Sequence, residues 1–120
     1  MAKDDYYVIV YQILYYLYQR FKKGEQVNTF MLNYDSPLFE TIDRRQWAYI
    51  IYLMSKMGLI EGIDFVEKDV PYPIMLDDCR ITLHGINYLC GNSTMKRARQ
   101  SLKGIKEIVP FESIDKLTSK

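Results

Sequence analysis

Arginine and glutamine side chains can read base edges in DNA, and the chain carries three of them in a row at positions 44–46. In the major groove an arginine can bond O6 and N7 of guanine, and a glutamine can bond N6 and N7 of adenine. Arg44, Arg45 and Gln46 follow Asp43, whose carboxylate can accept hydrogen bonds from first-turn amides while Gln46 reaches back to the amide of Asp43. Such residues at a capped helix start are typical of a recognition helix. The alternative is that the arginines are simply solvated and that Gln46 serves only as a cap.

The residues that follow have the spacing of an amphipathic helix. One side is apolar and consists of Trp47, Ile50, Ile51, Met54 and the terminating Gly58. The other side carries Arg45, Tyr49, Tyr52 and Lys56. This spacing predicts a helix over about 43–57 that buries its apolar side and leaves the other side free for a partner. Tyr49 and Lys56 therefore join the candidate DNA-contacting residues.

The remaining segments predict an α+β fold that is mainly α. A first helix over about 4–23 ends at Gly24, and Asn28 can cap a short second helix. After residue 59 the hydrophobic period changes to two, which predicts strands near 63–66 and 74–77 joined by a turn over 68–73, with a short third stretch at 80–81. A helix capped by Thr82 and a last helix over about 93–109 complete the order. We predict a winged helix-turn-helix with an extra C-terminal helix, its domain over 1–110, followed by a flexible tail over 111–120.

Charge is segregated along the chain, although the 16 Lys and Arg nearly balance the 15 Asp and Glu. The last predicted helix carries a basic stripe of Lys96, Arg99, Lys103 and Lys106 beside its buried positions Met95, Ala98, Leu102, Ile105 and Val109. If this helix folds alongside the one over 43–57, the stripe can add phosphate contacts. The predicted hairpin is acidic, with Glu61, Asp64, Glu67, Asp69, Asp77 and Asp78. Carboxylates next to a polyanion lower affinity, so the hairpin argues against a wing that grips DNA.

Tyrosine is unusually frequent, with 11 in 120 residues. On the first helix, Tyr7, Tyr11, Tyr15 and Tyr18 form a stripe beside the apolar stripe of Val10, Ile13, Leu14, Leu17 and Phe21. One alternative is that the tyrosines pack under the last helix with their hydroxyls in water. The other is a homodimer interface, because tyrosine is enriched at protein interfaces.

Several blocks of the sequence, in this order, carry a resemblance to a known family. They are Asp4–Tyr11 with Tyr16–Tyr18, Trp47–Ile51, Gly58–Gly62, Ile81–Leu89 and Ile105–Ile108. The chain resembles the YjcQ-like family of small prophage and phage proteins of Gram-positive bacteria, up to about residue 110. The resemblance implies a winged-helix-like fold and supplies no site residue.

The sequence offers little for catalysis or metal binding. His84 is the single histidine and has no nucleophile beside it, and the spacing of Cys79, His84 and Cys90 matches no zinc pattern. Asp77 and Asp78 are adjacent and fit a turn better than a catalytic pair. We therefore expect no enzyme, cofactor, metal or small-molecule substrate. Without a recognisable signal peptide or membrane span, we expect a cytoplasmic protein with reduced cysteines.

Two hypotheses of function follow from these patterns. The first is a small phage or prophage module that binds double-stranded DNA through the helix at about 43–57, with a regulatory role. The alternative is a protein–protein interaction module on the same scaffold, a homodimer or a partner-binding protein, without DNA binding.

Overall fold

Nine short elements make up the part of the chain that the computed structural model describes, residues 5–39, 42–66 and 71–103. Their order is α1 (Tyr6–Lys23), α2 (Thr29–Leu32), α3 (Arg44–Lys56), β1 (Ile60–Glu61), β2 (Asp64–Val66), β3 (Tyr72–Met75), β4 (Arg80–Ile81), α4 (Leu83–Gly91) and α5 (Ser93–Lys103). The predicted α+β class, mainly α, is confirmed. The winged-helix assignment stays a prediction, and the boundary at 110 and the tail over 111–120 lie outside the described residues.

Side-chain caps set the starts of all five described helices; for α5 the Asn92 side chain accepts hydrogen bonds from the amides of Thr94 (2.8 Å) and Met95 (3.3 Å). The carboxylate of Asp5 accepts a hydrogen bond from the Tyr7 amide, and the Asn28 side chain accepts one from the Phe30 amide. Asp43 and Thr82 cap α3 and α4 in the same way. Each cap satisfies a first-turn N–H that has no partner inside its helix. The first helix therefore begins at residue 6, two residues later than predicted, while the caps at Asn28, Asp43 and Thr82 agree with the prediction.

Glycines in the left-handed region end the two helices that matter most for the site. Gly24, with φ 65°, follows α1, and Gly58, with φ 76°, follows α3. After α3 the Gly58 amide donates to the Ser55 carbonyl (3.0 Å) and the Leu59 amide donates to the Met54 carbonyl (3.0 Å). This paired arrangement is the Schellman motif, which satisfies the last carbonyls of a helix. It turns the chain directly from α3 into β1.

The four strands form the two arms of one antiparallel ribbon. Ile60 and Glu61 pair with Ile81 and Arg80, and further out Asp64, Phe65 and Val66 pair with Met75, Pro73 and Tyr72. Between these two paired parts the returning arm is longer, because residues 76–79 make a turn closed by a 3.1 Å bond from the Cys79 amide to the Leu76 carbonyl. The predicted hairpin is confirmed, and its second strand begins at Tyr72 rather than Ile74.

The extra turn depends on Gly62, which faces it on the other arm. Gly62 has φ 87°, and a Cβ added there would overlap the carbonyl group of Asp78. Glycine is required here for two separate reasons, the left-handed backbone and the close approach of the turn.

The core is built around α1, which packs on α5, α4, β4 and α3. Its buried apolar residues include Ile9, Ile13, Leu14 and Leu17. The predicted apolar stripe is wrong at Phe21, whose surface is 62% exposed because it lies in the last turn, beyond the elements that cover α1. From α5 the core receives Met95, Ala98 and Leu102, as predicted, whereas Ile105 and Val109 lie outside the described residues. None of the described helices is long and apolar enough to span a bilayer.

Three glycine-to-alanine substitutions separate the two reasons for a glycine at position 62, the left-handed backbone and the close approach of the turn. Gly62→Ala adds both backbone strain and overlap, so we expect a loss of about 2–4 kcal/mol in the free energy of unfolding. Gly24→Ala adds strain without overlap and should cost about 1 kcal/mol. Gly91→Ala, in open space at the end of α4, should stabilise by up to about 0.5–1 kcal/mol. Urea denaturation followed by Trp47 fluorescence measures all three, and equal effects at Gly62 and Gly24 would contradict the close approach.

Candidate nucleic-acid interface

The outer side of α3 is an exposed stripe that runs the length of the helix. Arg45, Tyr49 and Lys56 are exposed, and Tyr52 is half-buried between them. Their spacing of four, three and four residues keeps all four side chains within about a quarter of the helix circumference, at about 100° per residue. The opposite side, with Trp47, Ile50, Ile51 and Met54, is buried as predicted.

The start of α3 is fixed by its cap and by its tryptophan. One carboxylate oxygen of Asp43 accepts hydrogen bonds from the amides of Arg45 (3.0 Å) and Gln46 (3.3 Å). The sequence also predicts a reciprocal hydrogen bond between the Gln46 side chain and the Asp43 amide. This bond is not formed among the described residues, and Gln46 is exposed. The indole N–H of Trp47 donates to the Leu32 carbonyl at 2.8 Å and so ties α3 to the end of α2.

Arg44 lies close to two tyrosine rings, a set of contacts called here the Arg44 sandwich, although the residue is exposed. Its guanidinium lies 5.5 Å from the ring centre of Tyr34 and 5.2 Å from that of Tyr72. A guanidinium over an aromatic face is attracted by the ring's negative face. The Tyr34 ring in turn meets Trp47 edge-on at 6.0 Å. Arg44 therefore connects α3 to the α2–α3 loop and to β3, whereas among the described residues no ring contact of this kind involves Arg45.

The two tyrosines of this sandwich were missed by sequence reasoning. Tyr34 lies in the loop after α2 and Tyr72 lies on β3, so neither shares a helix or strand face with Arg44. Only the tertiary fold brings the three side chains together. A groove of about 290 Å³ lies beside them, lined by residues that include Asn33, Trp47, Pro73 and Asp77.

A series of ring contacts continues along the outer stripe to the ribbon. The rings of Tyr49 and Tyr52 are stacked, with centres 6.4 Å apart and planes 21° apart. Tyr52 meets Phe65 of β2 edge-on at 5.5 Å. The ammonium group of Lys56 lies 5.3 Å from the Tyr52 ring centre. Offset stacking and edge-on contacts are the favourable geometries for aromatic pairs, so α3 and the ribbon are joined by packed rings.

The basic residues of α5 do not extend this surface as expected. Lys96 and Arg99 are exposed, while the side chain of Lys103 and all of Lys106 lie outside what the structure describes. Among the described residues, α5 packs mainly on α1 and α4, whereas α3 packs mainly on β3, β1 and α1. The expectation that α5 folds alongside α3 is therefore unsupported, and Lys96 and Arg99 form a separate basic surface.

The ribbon is acidic and solvent-facing, as its sequence predicts. Glu61, Asp64, Asp77 and Asp78 are exposed. Glu61 is paired with Arg80 at 2.9 Å, in a contact open to solvent on both sides. Exposed pairs of this kind contribute little to stability. The described part of the ribbon therefore carries more exposed carboxylates than cations next to α3, and Glu67 and Asp69 lie outside the described residues.

The tyrosine stripe of α1 is divided between core and surface. Tyr11 is only 4% exposed, Tyr15 and Tyr18 are half-buried, and Tyr7 is exposed. The pKa of Tyr11 is raised to about 12, mainly by burial, and the nearby positive charge of Arg99 on α5 offsets part of this rise. The packing alternative thus describes Tyr11, which lies under α5 with almost all of its surface covered. Tyr11 is unavailable to a dimer interface, and an interface through Tyr7, Tyr15 and Tyr18 stays a prediction.

The other titratable candidates are scattered. Both cysteines are free; Cys79 is buried and Cys90 exposed. Burial raises the pKa of the Cys79 thiol to about 12, which makes it a poor nucleophile or metal ligand. His84 is exposed on α4. Within residues 5–39, 42–66 and 71–103, no group of three or more His, Cys, Asp or Glu could hold a metal ion.

The sandwich predicts different roles for the two neighbouring arginines. Arg44→Ala loses two ring contacts and should lower the free energy of unfolding by about 1–2 kcal/mol. Arg45→Ala should stay within about 0.5 kcal/mol of the native protein. Both positions lie in the first turn of α3, so helix propensity and the helix dipole affect them alike. In urea denaturation, a double-mutant cycle of Arg44→Ala with Tyr72→Ala should give a favourable coupling energy, and a coupling of zero would refute the contact.

The comparisons with known proteins agree with the resemblance seen in the sequence blocks. A family model described as YjcQ protein matches residues 11–108, well over half of the 120 residues. No curated protein and no solved structure matches the chain. The suspected relationship is confirmed, and the chain belongs to the YjcQ protein family.

Proposed function

We propose that this protein is a small winged-helix module of phage or prophage type that binds double-stranded DNA through α3, in a regulatory role. The observation that carries the proposal is the outer stripe of α3, where exposed Arg45, Tyr49 and Lys56 lie on one side without a carboxylate. Gln46 is exposed on the flank of this stripe. A helix with this composition fits the major groove, which admits one α-helix and displays a distinct pattern for each base pair.

The stripe supplies two kinds of contact along its length. Recognition helices present their N-terminal residues to base edges, and on α3 these are Arg45 and Gln46. Lys56 lies eleven residues further, about 16 Å along the axis at 1.5 Å per residue, and we propose that its ammonium group, which also contacts the Tyr52 ring, binds a phosphate there. Lys96 and Arg99 lie on a separate surface of α5, and we propose them, with Lys103, only as additional phosphate contacts where the duplex extends beyond α3.

Arg44 has a supporting role in this proposal. Its guanidinium is engaged by Tyr34 and Tyr72, so it holds the helix start against the loop and the ribbon. A rigid helix start lowers the ordering cost of binding. Base reading then depends mainly on Arg45 and Gln46.

The proposal is tested by removing one positive charge at two different places. Arg45→Ala should weaken binding to random duplex DNA at low salt by about tenfold, the range expected for a base-contacting arginine. Lys22→Ala removes the same charge from the exposed end of α1 and should change affinity less than about twofold. Fluorescence anisotropy with labelled duplex measures both. Absence of binding, or equal losses in the two variants, would reject α3 as the DNA-contacting helix.

A second candidate function, a protein–protein interaction module, is favoured by one observation. Ile74 and Met75, neighbours on β3, are 56% and 48% exposed. Asp64 lies opposite Met75 across the ribbon, and Asp77 follows two residues later. Exposed apolar side chains next to carboxylates suit a partner protein with a basic, partly apolar surface, including a second copy of this chain.

Sedimentation separates the dimer from the monomer. If two copies associate through the ribbon, Ile74→Ser/Met75→Ser should dissociate the dimer at micromolar concentration, while Leu83→Ser, at another exposed apolar position on α4, should leave it intact. Dissociation by Tyr7→Glu instead would assign the interface to α1. A native protein that sediments as a monomer would exclude both homodimer interfaces.

A further inference from the structure

Tyr49 is the most prominent aromatic side chain on the outer side of α3. Its surface is 51% exposed, although one ring face is stacked on Tyr52. It follows Arg45 by one helical turn on the same side, and helical side chains lean toward the N-terminus of their helix. The Tyr49 ring therefore lies next to the base-reading end of the stripe.

The ring is backed by contacts that restrict its movement. Tyr52 supports one face of it, and Tyr52 is in turn held edge-on by Phe65 at 5.5 Å and covered by the Lys56 ammonium group at 5.3 Å. Through Phe65 this support reaches β2 of the ribbon. A side chain that is already ordered loses little conformational entropy when it meets a ligand.

We infer that Tyr49 is a specificity-determining residue that packs its ring against the C5-methyl group of thymine in the major groove. This inference rests on the proposed DNA binding by α3 and deepens it by naming A·T pairs as preferred sites. The thymine methyl group is the one apolar group that distinguishes bases in the major groove, and apolar side-chain surface is what contacts it. A ring fixed beside Arg45 gives that contact a defined position in the site.

The arrangement suits a duplex better than a single strand. Single-strand sites stack successive bases on successive open aromatic faces along a basic groove. Here Tyr49 presents open ring surface, whereas Tyr52 is half-buried and already contacted by Phe65, Lys56 and Tyr49. The neighbouring ribbon is acidic rather than basic. A single ring with one open edge or face can contact one methyl group, but it cannot stack a row of successive bases.

Deoxyuridine provides the test, because it differs from thymidine only by the absence of the C5-methyl group. A duplex is first selected by the native protein from a randomised pool and then synthesised with thymidine or with deoxyuridine throughout. We expect the deoxyuridine duplex to bind about fourfold more weakly per contacted methyl, the affinity equivalent of one buried methyl group. The ratio should persist in Tyr49→Phe, which keeps the ring, and fall to about one in Tyr49→Ala. Tyr7→Ala, at an exposed tyrosine on α1, serves as the matched control and should keep the ratio.

The outcomes separate this inference from the proposed function. If Arg45→Ala weakens binding but the two duplexes bind the native protein equally, the DNA-binding function stands and the role of Tyr49 is refuted. If the ratio is unchanged in Tyr49→Ala, with thermal unfolding showing a folded variant, another residue contacts the methyl group and the inference fails. Equal affinity for the corresponding single strand would refute duplex methyl contact. Failure to select any duplex would overturn both.

Discussion

One cluster of hydrogen bonds around Thr82 joins the three parts of the molecule on which the candidate interface depends. The Thr82 hydroxyl donates to the Gly58 carbonyl at 2.5 Å, and the Thr82 amide donates to the Leu59 carbonyl at 3.1 Å. The same hydroxyl accepts the Gly85 amide at 2.9 Å and so caps α4. A Cβ on Gly85 would overlap the Leu59 carbonyl, so the first turn of α4 is in direct contact with the segment that follows α3. The end of α3, the base of the ribbon and the start of α4 therefore form one rigid junction.

This junction explains why only one side of α3 is free. At its C-terminal end the helix is fixed by the Schellman turn and by Thr82, and at its N-terminal end by the Trp47 indole and the Arg44 sandwich. Its apolar side enters the core, and Ala48, fully buried, marks a third covered side. The stripe of Arg45, Tyr49 and Lys56 stays exposed because these packing contacts lie on other sides of the helix, and Arg44 and Gln46 on its two flanks are exposed as well. A surface fixed at both ends in this way is pre-organised for binding, whichever class of partner meets it.

Local features of this fold were predictable from the sequence, and long-range ones were not. The caps at Asn28, Asp43 and Thr82 and the stop at Gly58 each depend on residues within a few positions of one another, so the sequence specifies them directly. The burial of α3 followed from helical spacing for the same reason. Phe21 was misjudged, and the two alternatives for Tyr11 stayed open, because periodicity assigns a side of a helix but does not say how far the covering elements extend. The contacts of Arg44 with Tyr34 and Tyr72, and the close approach of Gly62 to the Asp78 carbonyl, join residues distant in sequence, for which no local pattern exists.

The acidic ribbon restricts the direction from which a duplex can approach α3. Successive residues of a helix are rotated by about 100° around its axis, so each position can be placed relative to Arg45. Tyr52 lies about 20° and Arg44 about 100° toward one flank. Tyr49 lies about 40° and Gln46 about 100° toward the other flank. The ribbon contacts the first flank, through Phe65 on Tyr52 and Tyr72 on Arg44. Its carboxylates therefore repel phosphates on that side. Under the proposed DNA binding, a duplex on α3 would lie over the Tyr49 and Gln46 flank, and the negative charge of the ribbon would select an orientation of the helix in the groove rather than prevent binding.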